Sequence, residues 1–209
     1  MRPRVVAVSL IVILGLSACT TGAPVADATT SPTPTPTATT TPAPTATTTF
    51  APVSVPTDCA TVVDAATYSA AFGETPLNDP GLGYTDGLGA VSPTAPPAGA
   101  AADEAVDAAT QLRCIWRYPQ ADITYLQLQI GSVAAGVADD YLKSLKLSGH
   151  TCDETLGGTR CTLTGTDPQY QVDTAETSFV RGDVVIRIDQ ANFPTDNLLG
   201  AVVARVWSD

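Results

Sequence analysis

The sequence has few of the residues that enzymes and nucleic-acid-binding proteins rely on. It holds one histidine, His150, and no Gly-x-Ser-x-Gly elbow places the nearby Ser148 as a nucleophile, so serine-histidine catalysis is not supported. Lysine and arginine together number 10 against 21 acidic residues, which argues against binding nucleic acid or lying on an anionic bilayer. Residues 5–16 form an apolar run of only about 12 residues, too short to span a bilayer.

That short apolar run has the layout of an export signal. Arg2 and Arg4 precede it, and the small residues Ser17 and Ala18 follow it, directly before Cys19. The segment Leu16-Ser17-Ala18-Cys19 resembles the processing signal of bacterial lipoproteins. The resemblance implies a signal peptide at residues 1–18, removed in the mature chain, and a Cys19 whose thiol carries diacylglycerol.

A spacer is predicted between the lipid anchor and the folded part of the chain. Residues 20–57 contain 15 threonines and 8 prolines in 38 residues, and Asp27 is their only charge. This composition buries too little surface to offset chain entropy, so we expect residues 19–57 to be a disordered Thr/Pro-rich linker that follows the lipidated cysteine. The linker matches both an O-glycosylated stalk and an unmodified spacer.

Residues 58–209 remain as a single extracytoplasmic domain, with a net charge of −12. Four cysteines lie in it, and an even number in an exported chain favours two disulfides. Three pairings are open. We favour Cys59–Cys114 and Cys152–Cys161, because Gly157 and Gly158 predict a turn between the second pair. No Cys-x-x-Cys pair supports a four-cysteine zinc site.

The periodicity of the domain predicts an α+β fold, an antiparallel sheet with helices packed on one face. Helices are expected after an Asp58 cap, within residues 100–110, from Ser132 or Val133 to Gly149, and after a cap at Thr195 or Asp196. Strands are expected at residues 112–118, 123–131, 169–180 and 184–190, with a disulfide-linked hairpin before the last two.

The order of these elements and the segment Cys114-Ile115-Trp116 resemble small actinobacterial cell-envelope lipoproteins with a domain of uncharacterised type. The resemblance covers roughly residues 58–207. It brings no assigned catalytic residues with it.

A ligand cleft lined by aromatic side chains is one candidate site. Trp116, Tyr118, Tyr125 and Tyr84 supply apolar area with polar tips, which suits small ligands. The alternative, which we favour, is that Trp116 packs in the core against the Cys59–Cys114 bridge.

Three further patterns have ordinary structural explanations that we favour. The oxygen-rich segment at residues 78–87 lacks the spacing of a calcium loop. Arg181-Gly182-Asp183 lies between two predicted strands, where a hairpin turn favours glycine and aspartate. Carboxylates for glycoside cleavage are abundant, but most are expected to be solvated; the candidates are Asp103, Glu104, Asp107, Asp139, Asp140, Asp153 and Glu154.

The sequence therefore predicts a lipid-anchored, non-enzymatic binding or interaction module on the outer face of the cytoplasmic membrane. We expect no catalytic residue, no cofactor and no metal. The expected partners are the membrane, through the anchor, and an envelope protein or a small-molecule ligand, with no nucleic acid. A cell-envelope hydrolase and a small solute-binding or sensor lipoprotein are the alternatives.

Overall fold

One antiparallel sheet of seven strands organises the domain. The structure, a computed structural model, describes residues 53–83 and 86–208. The strands lie in the spatial order β1-β2-β3-β7-β6-β5-β4. Their bounds are β1 Gly89–Ala90, β2 Thr110–Trp116, β3 Tyr125–Ser132, β4 Thr151–Thr155, β5 Gly158–Thr166, β6 Asp173–Arg181 and β7 Val184–Ala191. Four α-helices accompany them, α1 Ala65–Phe72, α2 Ala102–Ala108, α3 Ala135–Leu147 and α4 Leu198–Val206.

The predicted α+β class and both predicted disulfides are confirmed. Cys59–Cys114 ties a 3-10 turn, Cys59–Thr61, to β2, and Cys152–Cys161 joins directly opposite positions of β4 and β5. The predicted signal peptide, Cys19 and the linker as far as residue 52 lie outside the described residues. The Ser54 amide donates to the Val206 carbonyl at 3.0 Å, so the last linker residues lie against the domain.

The two faces of the sheet differ because successive side chains of a strand point to opposite sides. We call them the apolar face and the charged face. In the central strands β3 and β7, the apolar face carries Leu126, Leu128, Ile130, Val184, Ile186 and Ile188, all buried. The charged face carries Gln127, Gln129, Arg187 and Asp189 in the same two strands.

Helices cover both faces, whereas the sequence analysis placed them on one. Helices α1 and α4 and the 3-10 turn pack on the apolar face, where they form the larger core. Helices α2 and α3 pack on the charged face through Val106 and Leu145, against Val180 and Val185. The sequence pattern concealed this second layer, because Val184 and Val185 are adjacent and both buried, one on each face.

Three of the predicted helix starts are wrong. Helix α3 begins at Ala135, not at Ser132 or Val133. Asp58 caps the 3-10 turn, and Asp64 caps α1 by accepting from two backbone amides. Helix α4 follows Asn197, which has a φ of 51° and makes no side-chain cap, so neither Thr195 nor Asp196 starts it. The Arg181-Gly182-Asp183 segment forms the turn between β6 and β7, as predicted.

Helix α2 ends very close to the charged face of β3. A Cβ atom at Gly131 would stand 2.4 Å from the Ala109 carbonyl oxygen, so only glycine fits there. The β2–β3 register shifts between Thr110 and Leu112, beside this contact. The close approach holds α2 over one end of the charged face.

We predict that the two disulfides contribute unequally to stability. Cys59–Cys114 spans a sequence separation of 55 residues and Cys152–Cys161 spans 9. In the chain-entropy description, closing these two loops stabilises the fold by about 4 and about 3 kcal/mol, respectively. Chemical denaturation should therefore show a larger loss of unfolding free energy for Cys59→Ala with Cys114→Ala than for Cys152→Ala with Cys161→Ala. Equal losses, or the reverse order, would contradict this.

Candidate functional site

A groove lies on the charged face beside α2 and α3, where the part of the sheet that these helices cover stops. The two helices cover the row of residues nearest the β6–β7 turn and leave the following rows partly open. Two adjoining hollows of about 320 Å³ and about 360 Å³ share Glu176, Arg187 and Asp189. We call their combined space the charged groove. Its size suits a small ligand.

Strand register builds the floor of the charged groove from two polar rows. The first row places Gln129 beside Arg187 and Arg187 beside Ser178, on β3, β7 and β6. The second row runs Gln127, Asp189 and Glu176 across the same strands. Cross-strand neighbours of this kind hold their Cβ atoms roughly 5 Å apart. Charged side chains are thus concentrated at the centre of the sheet.

The first row is anchored to the two helices. Arg187 forms an ion pair with Asp107 of α2, and the Tyr141 hydroxyl of α3 lies 2.8 Å from the Ser178 hydroxyl. Burial raises the pKa of Tyr141, although the positive charge of Arg187 opposes the shift. Arg187 is therefore held in place by its partner on α2, and Tyr141 remains a neutral phenol at the end of the groove.

Some polar atoms of the first row have no partner within the described part of the chain. The side-chain oxygen of Gln129 and the Nε of its cross-strand neighbour Arg113 are buried and make no hydrogen bond there. Buried polar groups without partners cost stability. The charged face is therefore not optimised for stability alone.

His150 closes the groove at the end of α3. Its side chain is only 5% exposed, and its Nδ1 lies 3.1 Å from the Leu145 carbonyl oxygen. Because a carbonyl only accepts, Nδ1 carries a hydrogen and donates it. The other ring nitrogen, Nε2, lies 3.6 Å from a carboxylate oxygen of Glu176. This contact is an ion pair only when the imidazole is protonated, because the neutral ring with its hydrogen on Nδ1 has no donor at Nε2.

Asp189 places a partly buried carboxylate on the floor of the groove. Burial raises the pKa of its carboxyl; Arg187 opposes the shift and Glu176 adds to it. No hydrogen bond within the described residues reaches this carboxylate, in contrast to that of Asp107, which accepts from Arg187. A partly buried carboxylate in a cleft with a perturbed pKa is a candidate for binding or acid-base chemistry.

The aromatic side chains proposed from the sequence do not form one cleft. Trp116 is fully buried, stacks on Phe72 at 3.9 Å between ring centres, and belongs to the core that contains Cys59 and Cys114. Tyr118 is 48% exposed, and its hydroxyl donates to the Glu74 carbonyl. Tyr84 lies outside the described residues.

Tyr125 is separated from Trp116 by the sheet itself. Register places Tyr125 in line with Ala191 on the charged face, whereas Trp116 pairs with Leu126 on the apolar face. Tyr125 lines the outer end of the charged groove together with Gln127. Of the three aromatic candidates among the described residues, it is therefore the one that contributes to this groove.

Most of the other candidates from the sequence have structural roles. Ser148 donates to the Ser144 carbonyl at 3.0 Å. Asn78 accepts from the Ile115 amide, and Asp79 accepts from the Gly81 amide, so these side chains hold their own loop. Within the described ranges, no group of three or more histidine, cysteine or acidic residues is arranged to hold a metal ion.

The seven acidic candidates fall into two groups, two that lie at the charged groove and five that do not. Asp107 pairs with Arg187, and Asp103 lines the charged groove. The others act locally: Glu104 accepts from the Ala101 amide, Asp140 pairs with Lys143, Asp153 pairs with Arg160, Glu154 accepts from Thr159, and Asp139 is exposed.

The three central residues of the groove were not chosen as site residues from the sequence. Residues 184–190, which include Arg187 and Asp189, are predicted only as a strand, and Glu176 is not singled out. The usable signal is the presence of two charges in a strand whose other side chains, apart from Gln190, are apolar. Such a strand lies in the middle of a sheet, where charges require partners or a function.

Comparisons with known proteins add no relatives: no family model, curated protein or solved structure matches the chain. The described residues also contain no helix of the length and apolarity that crossing a bilayer requires. The charged groove is therefore interpreted from its own geometry.

We predict that Asp189 makes stability depend on pH. Its raised native pKa means that the unfolded chain loses this proton at lower pH than the native chain does. Stability should fall as pH rises from about 4 through the native pKa. Asp189→Asn should therefore raise the melting temperature at pH 7 by about 2–4 °C, the effect of about 1 kcal/mol in a domain of this size.

The gain from Asp189→Asn should disappear at pH 3.5, where the native carboxyl is already protonated. Asp183→Asn, a change in the exposed β6–β7 turn, is the matched control and should leave both melting temperatures unchanged. Differential scanning calorimetry at the two pH values measures both variants. If Asp189→Asn still raised the melting temperature at pH 3.5, or lowered it at pH 7, this role for Asp189 would be disproved.

Proposed function

We propose that this protein is a lipid-anchored, non-enzymatic binding module of the cell envelope, and that it holds a small amine-bearing ligand in the charged groove. The observation that carries the proposal is the Asp189 carboxylate, which lies on the groove floor with no hydrogen-bond donor among the described residues. A ligand ammonium supplies the missing donor and charge.

The charges of the groove favour a cation. Among the described residues, Arg187 is the only arginine or lysine that lines it, and that guanidinium is already paired with Asp107. Asp103, Glu176 and Asp189 leave the lining with an excess of carboxylates. Because the domain as a whole is also strongly acidic, its field attracts cations and repels anions.

The anchor is proposed from the sequence and supported by the disulfides. Leu16-Ser17-Ala18-Cys19 supplies the acceptor cysteine, and residues 20–57 supply a spacer to the domain. Two disulfides within the domain suit an oxidising compartment outside the cytoplasm. The proposed location is therefore the outer face of the cytoplasmic membrane.

One observation favours a second candidate function, a cell-envelope hydrolase. Asp189 and Glu176 are direct cross-strand neighbours, and the raised pKa of Asp189 suits a general acid. Against it, the Glu176 side chain is 59% exposed, and no described group is arranged as a nucleophile beside the two carboxylates. Binding without turnover is the simpler use of this geometry.

The amine hypothesis is tested with two probes of equal length. Putrescine carries an ammonium at each end, and butanediol carries a hydroxyl in its place. Isothermal titration calorimetry at pH 7 and low salt should show putrescine binding with a dissociation constant of about 1 mM or lower, and no binding of butanediol. Asp189→Asn should weaken putrescine binding about tenfold or more, because a charge-assisted hydrogen bond is lost.

Asp183→Asn again serves as the control, since it removes the same charge outside the groove. Equal weakening by both variants would show a general effect of charge and would contradict a site at Asp189. Release of reducing sugars from isolated cell walls, abolished by Glu176→Gln in a folded variant, would replace the binding function with the hydrolase.

We predict that Cys19 holds the protein on the membrane. After growth with an alkyne-labelled palmitate, the full chain should carry the label and sediment with membranes, while Cys19→Ser should lose both properties. Stable anchoring requires more than one acyl chain, which a lipidated terminal cysteine provides. A Cys19→Ser chain that still sediments with membranes would contradict the anchor.

A further inference from the structure

A further hollow lies on the opposite side of the sheet from the charged groove. It has a volume of about 530 Å³ and adjoins a second hollow of about 270 Å³, with which it shares Ala175 and Gln190. Together they form one groove along β5 and β6 on the apolar face, which we call the hydroxyl groove. The volume lies within the range of small-molecule sites.

The hydroxyl groove exists because α4 covers only part of the apolar face. The helix packs over β7 and over Phe179 of β6. The larger core extends along β6 only as far as Phe179. Farther along β6 and on β5, the same face carries short polar side chains. Its floor is formed by Thr162, Thr164, Ala175, Thr177 and Gln190, and its wall by the segment from Phe193 to Asn197 that leads into α4.

Register arranges the floor side chains as a regular array. Thr162 pairs with Thr177, and Thr164 pairs with Ala175, so all four project from the same face. No hydrogen bond within the described residues uses the hydroxyl of Thr162, Thr164 or Thr177. Three hydroxyls thus project into one groove with their donors and acceptors unused by the protein.

The lining of the hydroxyl groove is nearly free of charge. Asp173 lies at one end, and Arg160 lies at the other, where two hydrogen bonds of 3.1 and 3.0 Å tie it to Asp153. Between them every polar side chain is a hydroxyl or an amide, which both donates and accepts. This is unusual in a domain with so many acidic residues, and it selects neither anions nor cations.

We infer that the hydroxyl groove binds a neutral oligosaccharide. Each sugar hydroxyl donates one hydrogen bond and accepts others, and it therefore matches side chains that do the same. The carbon-bound faces of sugar rings are weakly apolar and suit the half-buried ring of Phe193 and the exposed ring of Pro194. An elongated groove that is open along its length accommodates a chain of rings rather than one compact molecule.

The inference is tested by nuclear magnetic resonance on the purified full chain, with maltohexaose and cellohexaose as probes. Amide signals of β5, β6 and residues 193–199 should shift with at least one probe, with a dissociation constant of about 1 mM. Thr177→Val keeps the shape of the side chain and removes its hydroxyl, and it should weaken binding about three- to tenfold. Ala175→Leu should abolish binding by filling the floor.

Thr94→Val is the matched control, because Thr94 is exposed in the loop before α2 and lines neither groove. It should bind the probe as the unmodified chain does. Thermal unfolding and a native-like spectrum of each variant show that the fold is kept. Absence of shifts with both probes, shifts confined to the charged face, or full binding by Ala175→Leu would each overturn the inference.

Discussion

The alternation of side chains along β3 and β7 is the constraint on which the rest of the structure depends. These strands occupy the centre of the sheet, so both of their faces are partly shielded from water. One face presents the leucines, isoleucines and valines that α1 and α4 cover, and this layer drives folding. The other face presents Arg187, Asp189 and two glutamines. A one-residue slip in register would exchange the two faces, so the core fixes the position of every charged group.

Neither face is covered along its whole length, and this produces the two grooves. On the charged face, α2 and α3 pack on Val180 and Val185 and end before the row of Asp189 and Glu176. On the apolar face, α4 covers the sheet only as far as Phe179. The grooves differ in chemistry because the core requires apolar residues only beneath the helices. Carboxylates remain on one face and threonines on the other.

Much of the fold could be predicted from the sequence, because it rests on local signals. The alternation in residues 184–190 predicts β7, and an even number of cysteines with a glycine turn predicts the Cys152–Cys161 hairpin. The second helical layer could not be predicted, since helices α2 and α3 lie far in sequence from Val180 and Val185 and meet them only in the folded domain. The charged groove was missed for the same reason: Glu176 and Asp189 lie 13 residues apart in sequence and meet only through the β6–β7 register. Trp116 was correctly favoured as a core residue.

The central claim is that β7 stabilises the fold through one face and recognises a ligand through the other. The most direct test is the free energy of unfolding, at pH 7, of Arg187→Met combined with Asp189→Leu, compared with Ile186→Ala in the same strand. Buried charges that serve binding can be replaced by apolar residues without loss of stability. We therefore expect the double variant to be at least as stable as the unmodified chain, and Ile186→Ala to lose about 2–5 kcal/mol. A double variant that is destabilised as much as Ile186→Ala would show that the charged row holds the fold together, and would contradict the account.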